Sequence, residues 1–293
     1  MNTGILFRAG NSGWMVMGLV TLLMLAPPVP AEEQNADDET VVRHRVVYGR
    51  SLDKSSGEAT DLLMDVYSPK VRKSDRSPAM VMIHGNPGNR PYNEQYTRLQ
   101  DYPISEFVKL GYVCFVPAYR FYGLDNVKTA VRFIRANAEE FRIDPERIVA
   151  NGGSLGGSHS VSLAVTDDEE SPPDIEDAAN NAGLSARVRA SISWAGGPHF
   201  PEAFDNKDSP ILILQGTEDT STKPQRALQI AELCRKNGVP HEIFFFVGVG
   251  HSPERNAIAR DDGRTMQEII VDFLERNNPS VPIDGAITFK ESE

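Results

Sequence analysis

The stretch Ile148-Val-Ala-Asn-Gly-Gly-Ser154-Leu-Gly-Gly157 constrains this chain more than any other. A short apolar run ends in glycines, a serine follows, and further glycines lead into a helix-like segment. Read as strand, sharp turn and helix, the stretch holds G-x-S-x-G at Gly152, Ser154 and Gly156. The turn is so tight that the residues two before and two after the serine lie against each other's backbone, where any Cβ would clash and glycine carries none. The serine between them is forced into strained backbone angles, with its hydroxyl exposed above the strand. A flexible glycine turn would read the same way in isolation, so the surroundings decide.

Those surroundings alternate. Segments 41–48 and 61–67 are β-rich, separated by a polar turn, and the second is stopped by Pro69. Ala79-Met-Val-Met-Ile83 is wholly apolar, as a parallel strand buried on both faces must be. A helix is expected over 93–110, broken at Pro103, then a strand over 112–116 ended by Pro117. Val127, Ala130, Val131 and Ile134 set a helical stripe within 124–140. Asp144-Pro145 reads as a turn into a strand at 147–150, and 155–165 as the helix after the serine. The acidic segment 166–186 reads as a loop with at most a short helix. Strands are expected at 188–194, 210–214 and 241–247, and helices at 224–237, closed by Gly238, and 262–275. Such alternation predicts an α/β fold with a mostly parallel central sheet and helices on both faces. Chemistry in such a sheet belongs beyond the carboxyl ends of the strands.

The chain ends are expected to stand apart from this core. Trp14 to Ala26 is an uncharged apolar run of 13 residues, followed by Pro27, Pro28 and Pro30. That length suits a signal segment better than a membrane span, and Val29-Pro30-Ala31 offers small residues for a cut before Glu32. Residues 1–31 are therefore read as a signal peptide, and the mature chain as secreted or periplasmic. Residues 32–59 are read as a lead and first strand, the lead itself (32–40) being disordered, 60–276 as the catalytic domain and 277–293 as an exposed tail. A formal charge of −11 repels nucleic acid and anionic membrane, so neither is an expected partner. Export permits a disulfide between Cys114 and Cys234, but both lie on apolar faces and are read as free buried thiols. Their wide separation gives no metal site. Oligomeric state is not legible.

A serine hydroxyl is a poor nucleophile at neutral pH without a base beside it and a group orienting that base. Downstream, the strand at 211–214 runs into Gln215-Gly-Thr-Glu-Asp219, and the strand at 243–247 into Gly248-Val-Gly-His251. The order serine, acid, base at successive strand ends singles out Ser154, Asp219 and His251. Glu218 is the competing acid, read as a solvated neighbour. His44 and His241 lie at or within strands, His159 lies inside a helix, and His199 follows a glycine pair. An oxyanion also needs donors already in place. The backbone N–H of Leu155, opening a helix, is the first, and the loop His84-Gly85-Asn86-Pro87-Gly88 is expected to give the second. For Phe121, Tyr122, Trp194 and Phe200, packing is the default role and lining a pocket the alternative.

Taken together, Leu63-Met-Asp-Val-Tyr-Ser-Pro69, Ile83-His-Gly85, Tyr119-Arg120, Val127-Lys-Thr-Ala-Val-Arg-Phe-Ile-Arg-Ala-Asn137, Ile143-Asp-Pro-Glu-Arg-Ile148, Gly152-Gly-Ser-Leu-Gly-Gly157 and the two strand-end motifs resemble the α/β-hydrolase superfamily. The branch is that of bacterial carboxylesterases and lipases, with hormone-sensitive-lipase-like and feruloyl- or acetyl-xylan-esterase-like members. The resemblance implies Ser154 as nucleophile, Asp219 as orienting acid and His251 as base, small-molecule or carbohydrate esters as substrates, and no cofactor. It also implies two departures. Relatives usually carry H-G-G-G, whereas here Asn86 and Pro87 hold the last two places. Proline has no N–H, which leaves Asn86 as the second donor, with Gly85 and Gly88 as lesser alternatives. The link at Phe121-Tyr-Gly123 is short, which implies a more open or differently walled site, and no insertion for a large cap domain is visible. A prolyl-oligopeptidase-like peptidase and a weakly active binding protein are the alternative readings.

Overall fold

The computed structural model describes residues 39–53, 56–86, 104–120, 123–168, 172–175, 177–252 and 256–278, together with the backbone of 33–35. All lie in the second of two units into which the chain divides, after Pro30. The expected signal peptide, Pro87, Gly88, Phe121, Tyr122, the first part of the 93–110 helix and the tail beyond 278 fall outside these residues.

Among the described residues nine strands form one sheet, in the order β1-β2-β3-β5-β4-β6-β7-β8-β9. Strands β1 (Glu33–Asn35), β2 (Thr40–Leu52) and β3 (Ala59–Pro69) run antiparallel along one edge, and β3 joins β5 (Val113–Pro117) antiparallel. From β5 onward the sheet is parallel through β4 (Ser77–Ile83), β6 (Ile143–Gly153), β7 (Ala190–Trp194), β8 (Ile211–Gly216) and β9 (His241–Phe246). The helices are α1 (Ile104–Lys109), α2 (Leu124–Ala136), α3 (Leu155–Val165), α4 (Gln225–Asn237) and α5 (Met266–Asn277).

Strand alternation assigns each side chain to a layer. Ala79, Val81 and Ile83 of β4 join Ile148 and Ala150 of β6 against Val127, Val131 and Ile134 of α2. Met80, Met82, Val149, Leu212 and Leu214 point the other way, onto Phe107 of α1 and Ile269 and Phe273 of α5. Ile211 and Ile213 meet Val161 of α3 and Ile230 and Cys234 of α4. Helices thus cover both faces, which is why the central strands read as unbroken apolar runs. Cys114 and Cys234 are both buried and free.

Several boundaries differ from those expected, each for a local reason. Within the acidic segment 32–40, where disorder is expected, Glu33 to Asn35 pairs with β2 from Arg43 to Val41. Strand β2 is hydrogen-bonded to β3 from Thr40↔Pro69 to Leu52↔Ala59, so the domain begins well before residue 60. Asp144 and Pro145 lie inside β6 rather than before it. The register passes from Ser77↔Ile143 to Ala79↔Ile148, and the intervening residues bulge out with Glu146 N–H on Asp144 Oδ1 at 2.9 Å. Helix α2 ends at Ala136, not 140, with the Asn137 side chain donating to Phe133 O at 2.8 Å. Helix α5 starts at Met266, not 262, because Thr265 and Glu268 form a capping box. Asp262 instead accepts from the Arg264 guanidinium. Asn277 closes α5 and Asn278 is buried, its carbonyl accepting from Tyr112 OH at 2.6 Å, so the tail does not begin at 277.

Candidate active site

The elbow is built as its glycines require. Ser154 sits between β6 and α3 at φ 58 and ψ −120, a left-handed conformation costly for a side chain with a Cβ, and it is half-exposed. A Cβ on Gly152 would stand 2.4 Å from Gly156 O, and one on Gly156 would stand 2.0 Å from Ile83 O. Neither position tolerates any other residue without moving backbone. Leu155 opens α3, so its N–H is among those that the helix leaves without an internal acceptor. The loop after β4 lies against this turn: a Cβ on Gly85 would be 3.4 Å from Ser154 Cβ. Asn86, the next residue, is exposed. The preceding peptide is held by Tyr119, whose hydroxyl donates to His84 O at 2.6 Å and whose ring stacks on the His84 imidazole at 4.2 Å.

Asp219 follows β8 and is buried. Its Oδ2 is 2.8 Å from His251 Nδ1 and accepts from Gln215 Nε2 at 3.2 Å, while Oδ1 accepts the N–H groups of Ser221 and Thr222 at 2.8 and 2.9 Å. Burial alone would push this carboxyl pKa up. The hydrogen bonds with His251, Thr222 and Gln215, with the nearby His251 charge, outweigh burial and hold it below the ordinary carboxylate value. An ionised Asp219 only accepts, so Nδ1 of His251 is the donor in this bond. Glu218 is exposed and meets the base loop only through its backbone, N–H to Val249 O at 3.0 Å. The acid and base loops cross closely here, since a Cβ on Gly216 would stand 2.3 Å from Val249 O.

Among the other histidines, His44 pairs with Asp65 across β2 and β3 at 2.9 Å. His241 lies in β9 with Nδ1 on Val239 O at 3.0 Å. His159 is buried on α3, between Tyr119 and the exposed His199. Burial first, then His199 and His84, push its pKa down to about 3, so the imidazole is neutral near neutral pH. Two contributors escaped the sequence reading. Gln215 lies inside the quoted strand-end motif, and its amide fastens Asp219 and Thr222 O together. Trp194 is buried, and its indole N–H donates to His251 O at 2.6 Å. No local pattern marks that bond, because its ends are far apart in sequence. Among the described residues no group of three or more His, Cys, Asp or Glu is placed to hold a metal ion.

Comparison with known proteins agrees with this architecture. Residues 64–205 match the BD-FAE family model, and residues 178–264 match that of the dienelactone hydrolase family. Each model covers less than half of the chain, and together with the fold they support an esterase-like α/β-hydrolase. The chain is similar in fold to a truncated carbohydrate esterase from gut microbiota, with a TM-score of 0.66 and 19% identity, over 84% of this chain and 99% of that one. It is also similar to esterase Est2 of Thermogutta terrifontis, with a TM-score of 0.60 and 21% identity, over 87% and 95% of the two chains. Among curated proteins it is 29% identical over 126 residues to the quorum-quenching protein AidA of Acinetobacter baumannii. That match covers 38% of this chain and 38% of AidA.

Proposed function

We propose that this hydrolase is a secreted serine carboxylesterase that cleaves small or carbohydrate-linked esters through an acyl-enzyme on Ser154. The observation that carries the proposal is the 2.8 Å bond between His251 Nδ1 and the buried Asp219, on the same rim of the sheet as a serine held at φ 58. His251 Nε2 takes the Ser154 hydroxyl proton as Oγ attacks the ester carbonyl carbon. The N–H groups of Leu155 and Asn86 receive the oxyanion, one such donor being worth about 3 kcal/mol. The tetrahedral intermediate collapses, the alcohol leaves with the proton from His251, and Ser154 keeps the acyl group. Water attacks the acyl carbon with His251 again as base, which frees the acid and restores the hydroxyl. Asp219 stabilises the imidazolium at each stage.

The test uses the chain from Glu32 onward. Wild type should react with a fluorophosphonate probe and hydrolyse p-nitrophenyl acetate, while Ser154→Ala should do neither. Wild type that takes up no probe and shows no turnover would overturn the proposal. Turnover of acetylated sugars against simple acetates then identifies the alcohol side. Export is tested by the mature N-terminus: protein recovered outside the cytoplasm should begin at Glu32.

A further inference from the structure

Strand spacing poses a problem for the site just proposed. Ser154 follows β6 and His251 follows β9, and three inter-strand steps of about 4.8 Å put roughly 14 Å of sheet between those strands. The loops must lean together, and something must hold them there. Asp219 fixes the His251 ring in azimuth but belongs to β8, on the side of the base.

One residue reaches both sides. Trp194 ends β7, paired with Gly153 of β6 on one side and Leu214 of β8 on the other. Its carbonyl accepts the N–H of Ser154 at 2.8 Å, and its indole N–H donates to the carbonyl of His251 at 2.6 Å. The chain is bent to make this possible. Ala195, next along, is held at φ 49 with its N–H on Leu214 O at 3.0 Å, a left-handed turn that a β-carbon disfavours. Gly157 is needed for the same reason, since a Cβ there would stand 2.6 Å from Trp194 O. The indole is 3% exposed and packs on Phe246, the last residue of β9, with ring centroids 5.8 Å apart. A ring this confined has few rotamers, so its N–H is a fixed strut.

We infer that Trp194 is the positioning residue that sets the reach between Ser154 and His251, through its carbonyl on one and its indole N–H on the other. The inference rests on the reading of Ser154 and His251 as nucleophile and base. Removing the N–H frees the base loop to drift. A displacement of about 1 Å in reacting geometry costs up to about a hundredfold in rate.

The chain has two tryptophans, Trp14 and Trp194, and only the second remains when the protein is made from Glu32. Biosynthetic replacement of tryptophan by 3-benzothienylalanine then keeps the fused rings at position 194 and removes only the donor. With kcat counted per fluorophosphonate-titrated site, the expected result is a fall of about ten- to a hundredfold, with KM changed by less than about twofold. The rate of probe labelling should fall by the same factor, and the melting temperature should stay near that of the unsubstituted protein. A purely structural indole would lower the melting temperature and the number of titratable sites while leaving kcat per site unchanged. That result, or a change confined to KM, overturns the inference. If the substituted protein is not recovered folded, Trp194→Phe keeps a ring against Phe246 and is read by the same outcomes. Unlabelled wild type would instead overturn the Ser154 reading itself, which separates the two failures.

Discussion

Two histidine–aspartate pairs in this molecule have nearly the same geometry. His251 Nδ1 lies 2.8 Å from Asp219 Oδ2, and His44 Nδ1 lies 2.9 Å from Asp65 Oδ2. The imidazoles are 33% and 36% exposed, and the carboxylates 0% and 7%. Two non-glycine residues share a φ of 58: Arg45, whose N–H donates to Asp65, and Ser154, at the end of β6. The pairs differ in where the backbone puts them. Asp219 and His251 follow parallel strands β8 and β9 on the rim where the elbow turns. Asp65 lies within antiparallel β3, opposite a register shift in β2 between Arg43 and Val46. The surroundings differ in kind as well. Asp219 collects four donors, including two consecutive backbone N–H groups, whereas Asp65 takes the Arg45 N–H at 2.9 Å and His44. A His–Asp bond is therefore a common fastening, and in the function proposed above it is the place on the sheet that sets His251–Asp219 apart.

Mutating the two pairs in parallel breaks or sharpens that contrast. The largest difference is expected between the histidines. His251→Ala should lower kcat by about 10⁴- to 10⁶-fold, as loss of a triad base does, while His44→Ala should leave kcat unchanged. Equal losses in steady-state assays would mean that position on the rim is not what distinguishes them. The carboxylates come next. Asp219→Asn should cost about 10⁴ in kcat, because an amide facing Nδ1 favours the wrong tautomer. Asp65→Asn should cost only stability, about 1–3 kcal/mol by urea unfolding, since it strands part of a buried hydrogen-bonded pair.

The buried His159 supplies a third case, an imidazole with no carboxylate. Neither of its ring nitrogens has a hydrogen-bond partner among the described residues. Its folded pKa of about 3 lies below the ordinary 6.5, so the unfolded chain takes up a proton that the folded chain refuses. Its contribution to stability is complete above pH 6.5 and is lost as pH falls from there toward 3, at up to about 1.4 kcal/mol per pH unit. His159→Phe should remove that slope, seen as a smaller drop in urea midpoint between pH 7 and pH 5. The smallest effect is expected at Arg45. Arg45→Gly relieves a left-handed conformation but frees the unfolded backbone, and these offset to within about 1 kcal/mol, with kcat unchanged.

What the amino-acid order determined by itself was everything carried by short-range spacing. Set among alternating strands and helices, the glycines at 152 and 156 read as a tight strand-to-helix turn, and the short apolar run from Ala79 to Ile83, bounded by turn residues, read as a strand covered on both faces. Gly238, at φ 77, had to close a helix. The polarity of successive strand ends pointed to Asp219 and His251. The sequence could not separate His251–Asp219 from His44–Asp65 by contact. Nor could it show that Trp194 reaches His251, that Gln215 braces Asp219, or that Asp144 and Pro145 bulge inside a strand. Those facts depend on register between strands and on how closely loops lean across them. The two His–Asp bonds and the Trp194 bond join residues tens of positions apart, where no periodicity survives. The Gln215 brace and the Asp144 bulge are short in sequence but take their shape from the strands beside them.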